Sequence, residues 1–446
     1  VNGLPSSAAC MTDLVDADTL ARLSAEPNRP LSWRAGADAT VAEFVGDRFG
    51  AQVVDRSVDP MISGVYAGSA ASIGIRSAVP AVVAELDRGA PSLTAAVRAV
   101  LPPGAPGPVF GAVDGGYRVL LDALVAASAA TWVPTAVERI EPDGAGWLVV
   151  DDEGAAHRAD GVVVATGATP AAALLHRAAP AAAAAARRVP VASSVVVGLA
   201  LPGGTPLPAQ SGVLVAAGEA LHAKAITLST RKWGPTGNVE LVRLSFGRFG
   251  DTVAASTSDE RLLDWARADL QTVFGLRVDP AESIIARWID AMPQYGPGHA
   301  QLVSALRAGL PPGLAVAGNY LDGVGVPGCL VAAGRAAAAL VRPRPVTPVR
   351  SGLPEMSTAK ASRSLPRPDS VVRPSLPWIS TRPVTSLRRS RPCRLVMPRL
   401  PEMTTSPLTS VSSVRPPRSA SASLSRMVSW PMRRVAFRPS RSASRL

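Results

Sequence analysis

The sequence predicts a mixed fold, α/β and α+β together, followed by an unfolded basic tail. Three observations carry this. Two apolar runs, GVVVATG (Gly161–Gly167) and LAVAGN (Leu314–Asn319), end in Gly turns, as buried parallel strands do. Between them lie four strand-like segments rich in Val, Ile and Leu, which form a second sheet. Beyond Pro343, Ser, Arg and Pro dominate and apolar periodicity vanishes.

Taken in order, residues 1–28 mix short apolar runs with Asp and read as a partial element. In TVAEFVGDRFG (Thr40–Gly50), Val41, Phe44, Val45 and Phe49 share a helical face, and Gly50 supplies the stop. VDPMISGVYAGSAASIGIRSAVPAVVAELDRG (Val58–Gly89) reads as a loop whose Gly64 and Gly68 leave the backbone bare beside the Tyr66 ring; a Gly-flanked turn capping two helices is the alternative. Asp114-Gly115-Gly116-Tyr117 opens a helix through about Ala127. Trp132, Val133, Val137 and Ile140, then Trp147–Val150, alternate like a hairpin turning at Asp143-Gly144. After GVVVATG, the second sheet draws on Val191–Leu201, Gly212–Ala217, Ala223–Ser229 and Val239–Phe246. Ser258 caps a helix over Asp259–Phe274 with an apolar stripe of Leu262, Leu263, Trp265, Ala266 and Leu270. Leu314–Ala317 is the last strand. A bare loop with Gly323, Gly325 and Gly328 follows, and Pro327 precedes a small-residue helix from Cys329 to about Val341. Strand, bare loop and helix start, aimed at one point, make a seat for phosphate or electron-rich ring oxygens; an ordinary turn between strand and helix is the alternative.

Charge separates the body from the tail. The chain of 446 residues carries a formal +12, but Pro343–Leu446 holds 19 Arg and 1 Lys against 3 acids, which leaves the body mildly acidic. The length allows two or three domains. Cys10, Cys329 and Cys393 stand far apart without a CxxC pair, so neither a disulfide framework nor a zinc site is expected and a reducing cytoplasmic compartment fits. Four scattered histidines, with no GxSxG or HExxH, give no metal site and no nucleophile. The Ala171–Ala186 region is interrupted by His176, Arg177 and Pro180, and no run long enough to span a membrane is found. There is no signal peptide, and opening on Val1 in place of Met, the chain is expected to start further upstream.

Read together, RW…AMPQYGPGH…GLAVAGNYLDGVGVPGCL, between Arg287 and Leu330, closely resembles the C-terminal run of the bacterial protoporphyrinogen/coproporphyrinogen oxidases, FAD enzymes of haem synthesis. The likeness extends over roughly residues 10–342. One departure is Gly328, where that family usually carries an acid before the Cys. The resemblance implies an amine-oxidase-like FAD/NAD(P)-binding fold with an interleaved substrate domain. Its expected divisions are 1–110, a mostly helical pocket region; 111–170, part of the FAD domain; 171–295, the substrate sheet and helix; 296–342, the C-terminal part of the FAD domain; and 343–446, the tail. It implies oxygen-dependent removal of six hydrogens from a porphyrinogen with peroxide as product. The flavin does the hard chemistry, so no catalytic side chain is assigned.

The same resemblance implies that Val137 contacts the adenine through its backbone, that the Ala-Thr-Gly turn at Thr166 recrosses the cofactor domain, that Trp288 stands near the flavin, and that Val324, Gly325 and Val326 run beside its ring, with the last helix pointing its N-terminus at it. Core packing is the alternative for Trp288, and His299 reads as a structural residue. For the substrate it implies Gly64, Tyr66 and Gly68, a pocket-lining sheet with Gly212 and Leu214, and Lys224 as a cation for a propionate, a solvated strand face being the alternative for that lysine. Coproporphyrinogen has four propionates and protoporphyrinogen two, so a cation favours the former. Dioxygen and the next haem-pathway enzyme are the further partners implied, with no nucleic acid for the folded body and a location in the cytoplasm or at the membrane surface.

By resemblance, on the order of a hundred N-terminal residues that bind the FAD pyrophosphate and ribose are missing, for no GxGxxG follows a strand with an acid about 20 residues on. A truncated inactive homologue and another amine-oxidase-like flavin oxidase are therefore the competing readings. The tail has the composition of an out-of-frame product; RNA or membrane binding is its functional alternative.

Overall fold

The computed structural model describes residues 1–101, 111–128, 130–235 and 237–340, all within one compact unit. The expected tail, 343–446, and Val341 lie outside them.

The first hundred residues are helical because their inner faces are apolar and Asp16, Thr40 and Ser92 cap three of the helix starts. Helix α1 (Ala17–Ala25) begins at Asp16, whose carboxylate accepts from Thr19 N at 2.9 Å. Helix α2 (Val41–Phe49) has a reciprocal cap between Thr40 and Glu43 and stops at Gly50, φ 99°. Most of residues 58–89 is helix and not loop: helix α3 (Asp59–Tyr66) runs through Gly64 to Tyr66, where Ala67, φ 52°, ends it, and Ile75–Ala78 and Pro80–Asp87 are helical too. Pro60 sits in the first turn, where its missing N–H costs nothing. A buried ion pair joins this layer to helix α4 (Leu93–Ala99). Glu26 Oε1 accepts from Arg48 Nε at 2.8 Å and from Leu93 N at 2.9 Å, and Oε2 accepts from Thr94 N at 3.0 Å. Burial alone would push the Glu26 carboxyl up; hydrogen bonds from Thr94, Arg48 and Leu93 outweigh it and hold the group below its usual value.

Helix α5 (Tyr117–Ser128) starts where the sequence places it. The hairpin of β1 (Val137–Asp143) and β2 (Gly146–Asp151) closes at Asp143-Gly144, and β3 (Ala156–Ala159) completes a three-stranded antiparallel sheet. Trp132 and Val133, expected in the strand, precede it, and Trp132 is 81% exposed.

Strand β4 (Val162–Val164) next enters a parallel pair with β10 (Leu314–Val316), Val164 opposite Val316. The two Gly-edged runs are therefore neighbours, as their shared pattern implies. The Ala-rich stretch forms helix α6 (Ala168–Ala178) and helix α7 (Pro180–Arg187), with Pro180 opening the second. Ala171, Ala172, Leu175, Ala182 and Ala183 pack in one core with Val164, Val316 and Tyr320.

The second sheet is antiparallel, in the order β6 (Gly212–Leu214), β7 (Ala225–Leu228), β8 (Val239–Phe246), β5 (Val191–Pro202), β9 (Glu282–Pro293). β9 is a strand that the sequence reading missed. Helix α8 (Asp259–Phe274), capped by Ser258 Oγ on Arg261 N at 3.3 Å, covers one face. Its Leu262, Ala266 and Leu270 pack against Val195, Val197, Leu199, Ile226, Leu228, Val242, Leu244 and Phe246. Strand alternation sends the intervening residues to the other face. Helix α9 (His299–Ala308) and helix α10 (Val326–Leu340) complete the fold; α10 begins three residues earlier than expected, with Pro327 in its first turn.

Candidate cofactor edge and substrate face

The site begins where the two parallel strands end. β4 runs into Thr166 and β10 into Gly318, and Ala317 N donates to Val164 O at 3.0 Å. A Cβ on Gly318, φ 148°, would lie 2.8 Å from Thr166 O, so only glycine lets these two turns meet. The loop after Gly318 is held in place from four sides. Tyr295 donates its hydroxyl hydrogen to Asn319 O and accepts from Gly323 N at 3.1 Å. Asn319 Nδ2 donates to Ala291 O at 2.9 Å. Asp322 takes Arg307 at 2.5 Å and also Arg335 of α10. Gly328 presses on Gly323, where a Cβ would stand 2.6 Å from the Gly323 carbonyl oxygen. The acid that the related run usually carries has no room at Gly328.

Tyr295 is itself fixed. His299 stacks on it at 3.9 Å, Tyr66 lies 5.9 Å away, and burial raises its hydroxyl pKa. Burial lowers the His299 imidazole, which keeps it neutral. The preceding residue reaches the other way: Gln294 Nε2 donates to Tyr66 O at 2.8 Å and to Met292 O at 3.1 Å. Gly68 lies so close to Gln294 Oε1 that no side chain fits there. Neither Gln294 nor Tyr295 was assigned a role from the sequence, although both stand in the AMPQYGPGH run that carries the resemblance.

The residues singled out from the sequence fall into two groups. Thr166 stands at the edge just described, with Val324, Gly325 and Val326 in the loop leading from it into α10; Gly325 and Val326 are exposed. Val137 opens β1 on the separate three-stranded sheet, opposite Asp151, with its side chain exposed. Gly64 and Leu214 touch, a Cβ on Gly64 meeting Leu214 Cδ2 at 3.0 Å, so α3 and β6 meet. Tyr66 is half-buried with its hydroxyl on Ser77 O at 3.2 Å. Trp288 pairs with Ser194 and belongs to the sheet face opposite α8; it enters no core cluster among the described residues.

Lys224 corrects the sequence reading. It lies in phase with Ile226 and Leu228, on the covered side, and is 4% exposed. Its ammonium donates to Phe246 O at 3.2 Å and to Gly247 O, so the sheet's own backbone takes it and it does not project into the open cleft. Burial and the nearby Arg248 pull its pKa down to about 8.

The residues present fit the ring end of a flavin. Gly323, Gly325 and the Thr166–Gly318 contact offer bare backbone beside the exposed Val326. The run from Gly323 to Gly328 has the GxGxxG spacing at the start of α10, but no acid follows it about 20 residues on. Among the same residues there is no cluster of metal-ligating groups and no helix long and apolar enough to cross a membrane.

A parallel pair edged by glycine turns, interleaved with an antiparallel sheet backed by one helix, is the fold of the amine-oxidase-like flavoproteins. The model of the flavin-containing amine oxidoreductases matches residues 15–341, and the chain belongs to that family. A coproporphyrinogen III oxidase from Mycobacterium tuberculosis is 59% identical over 341 residues, covering 76% of this chain and 75% of the relative. One from Mycobacterium leprae is 57% identical over 340 residues, with the same 76% and 75% coverage. In fold, the chain is similar to a crystal structure from Exiguobacterium, provisionally named a protoporphyrinogen oxidase, with a TM-score of 0.67 at 24% identity over 77% of each chain. It is also similar to reduced UDP-galactopyranose mutase, with a TM-score of 0.51 at 15% identity over 68% of this chain and 66% of that one.

Proposed function

We propose that the chain is a coproporphyrinogen III oxidase, an FAD-dependent enzyme that takes six hydrogens from coproporphyrinogen III to give coproporphyrin III. Dioxygen is the acceptor and hydrogen peroxide the second product. The observation that carries this reading is 59% identity to the mycobacterial coproporphyrinogen III oxidase across the whole described body. When bound, FAD supplies the chemistry: it accepts hydride and passes the electrons to oxygen. The chain's own part is to seat the ring and hold the substrate against it. Val324, Gly325, Val326 and Thr166 line the ring end, Trp288 stands nearby and Val137 meets the adenine through its backbone. Gly64, Tyr66, Gly68 and Leu214 wall the substrate side. The division into 1–110, 111–170, 171–295, 296–342 and 343–446 follows from the same reading. Dioxygen and the next enzyme of haem synthesis are its partners, and the cytoplasm its place, in keeping with the unpaired Cys10 and Cys329.

The test is direct. The purified chain, supplied with FAD, is mixed with coproporphyrinogen III in air while porphyrin fluorescence and peroxide are followed. Porphyrin and peroxide rising together, at one to three, support the reading. A protein that turns yellow with FAD and oxidises an amine but no porphyrinogen overturns it.

A further inference from the structure

The face of the five-stranded sheet opposite α8 carries one large charged side chain at its centre. Arg243 lies on β8, the middle strand, opposite Gly198 of β5 and Thr227 of β7. Its neighbours Val242 and Leu244 are buried against α8, so alternation puts Arg243 on the other face. Around it that face carries mostly small side chains, Gly198 and Ala200 on β5, Ala225 and Thr227 on β7 and Ser245 on β8, with Val196 and Leu241 at its flanks. Four strand spacings make the face roughly 19 Å wide. Trp288 stands on β9 at one side of it, and Leu214 on β6, touching Gly64, at the other.

Among the described residues Arg243 makes no hydrogen bond and no ion pair, whereas Arg248, Arg287, Arg307 and Arg335 are all engaged by carboxylates, hydroxyls or carbonyls. The residue is exposed, yet protein crowds its head enough that burial lowers its pKa. Its charge is felt by both Lys224 and Lys232. A guanidinium that is crowded, reachable and without an acid has given up water without gaining a partner, and a ligand carboxylate offsets that loss.

We infer that Arg243 is the carboxylate-binding residue of the substrate face, taking one propionate of a tetrapyrrole laid across the strands between Trp288 and Leu214. The inference rests on the tetrapyrrole reading above and moves the role of anion partner from Lys224 to Arg243. The planar fork suits a carboxylate bidentately, which the lysine ammonium cannot match.

The experiment uses the full chain and two air-stable probes, coproporphyrin III and its tetramethyl ester, titrated in the same dilute detergent by quenching of protein and porphyrin fluorescence. Arg243→Gln is expected to weaken coproporphyrin binding about tenfold, a loss of about 1.4 kcal/mol, and to leave the ester unchanged. Arg243→Lys, which keeps the charge, is expected to fall between parent and Arg243→Gln, and it carries the comparison if the Gln variant does not fold. Unchanged coproporphyrin binding in both variants, with the parent binding well, overturns the role of Arg243 alone. Equal weakening of acid and ester also overturns it, because shape and not charge was then lost. A parent that binds neither probe overturns the tetrapyrrole reading and this inference together.

Discussion

Removing one oxygen atom, by Tyr295→Phe, is expected to loosen the whole loop between β10 and α10. The Tyr295 hydroxyl gives its hydrogen to Asn319 O and accepts from Gly323 N at 3.1 Å, and Tyr295 itself is 5% exposed. Each net hydrogen bond is worth about 1 kcal/mol, and a buried group left without a partner costs about 1–3 kcal/mol. Two groups lose their partner here, so the expected loss is about 2–6 kcal/mol. The ring remains, with its stack on His299 at 3.9 Å, so packing is held constant. Denaturant unfolding of parent and variant measures the difference, with Tyr66→Phe as control, since that hydroxyl makes a single bond to Ser77 O at 3.2 Å. The control is expected to cost about 1 kcal/mol. In protein loaded with FAD, the visible flavin bands of Tyr295→Phe should also lose fine structure as the ring environment loosens. Equal midpoints for Tyr295→Phe and Tyr66→Phe would refute the bridging role, and so would a change in slope without a change in midpoint.

The buried Lys224 gives a pH test. Its folded pKa of about 8 lies below the unfolded 10.5, so the unfolded state holds more protons between these values and stability rises with pH across that window. Relative to Lys224→Met, the parent should gain on the order of 3 kcal/mol from pH 7 to 10.5; a flat difference in chemical denaturation would show that the ammonium is not desolvated. Gly328→Ala puts a methyl 2.6 Å from the Gly323 oxygen, and the backbone there must move. A loss of about 1–3 kcal/mol in thermal unfolding is expected, with weaker FAD retention on gel filtration, and a neutral outcome would mean that the loop yields freely. Ser193→Ala removes the hydroxyl that accepts from Asp290 N at 2.9 Å and donates to its carboxylate at 3.2 Å. It should cost about 1–2 kcal/mol and speed amide exchange at Asp290, and unchanged exchange there would count against it.

The elements legible in the sequence are those whose local chemistry and tertiary place agree. Ser258 and the Leu262, Ala266, Leu270 stripe mark α8 to the residue, and the Val-rich β4 and Ala-rich β10 share a Gly ending because they share an edge. Strand β9 was missed because ESIIARWIDAMP does not alternate: most of its residues are half-exposed, and a bulge breaks its period. Helix α3 was missed because Pro60 and Gly64 look like breakers when their positions within the turn are unknown. The parity of Lys224 was readable all along. It lies two residues before Ile226 and four before Leu228, and a side chain in phase with two core residues points where they point. Its rarity drew attention that its register did not support. Arg243 was passed over for the opposite reason, as one arginine among many in an Arg-rich chain, and only strand pairing shows it at the centre of an open face.

The two halves of the site are joined covalently by β9, and the bulge decides how. From Ala192 to Ser194 strand β5 advances two residues while β9 runs from Met292 back to Trp288, so the surplus is taken up at Ile289–Ala291. Asp290 there adopts φ 49°, an uncommon state for a residue with a side chain, and Ser193 holds it. Without that surplus the strand would carry its register straight through. With it, Trp288 remains on the substrate face, the Ala291 carbonyl turns to accept from Asn319, and Gln294 and Tyr295 leave the sheet to grip α3 on one side and the Gly323 loop on the other. Strand β9 thus ties the five-stranded sheet to the Gly318–Gly323 loop through a few residues of main chain. Ser193 and the flanking strand pairs hold Asp290 in that conformation, which Asp tolerates better than most residues with a side chain.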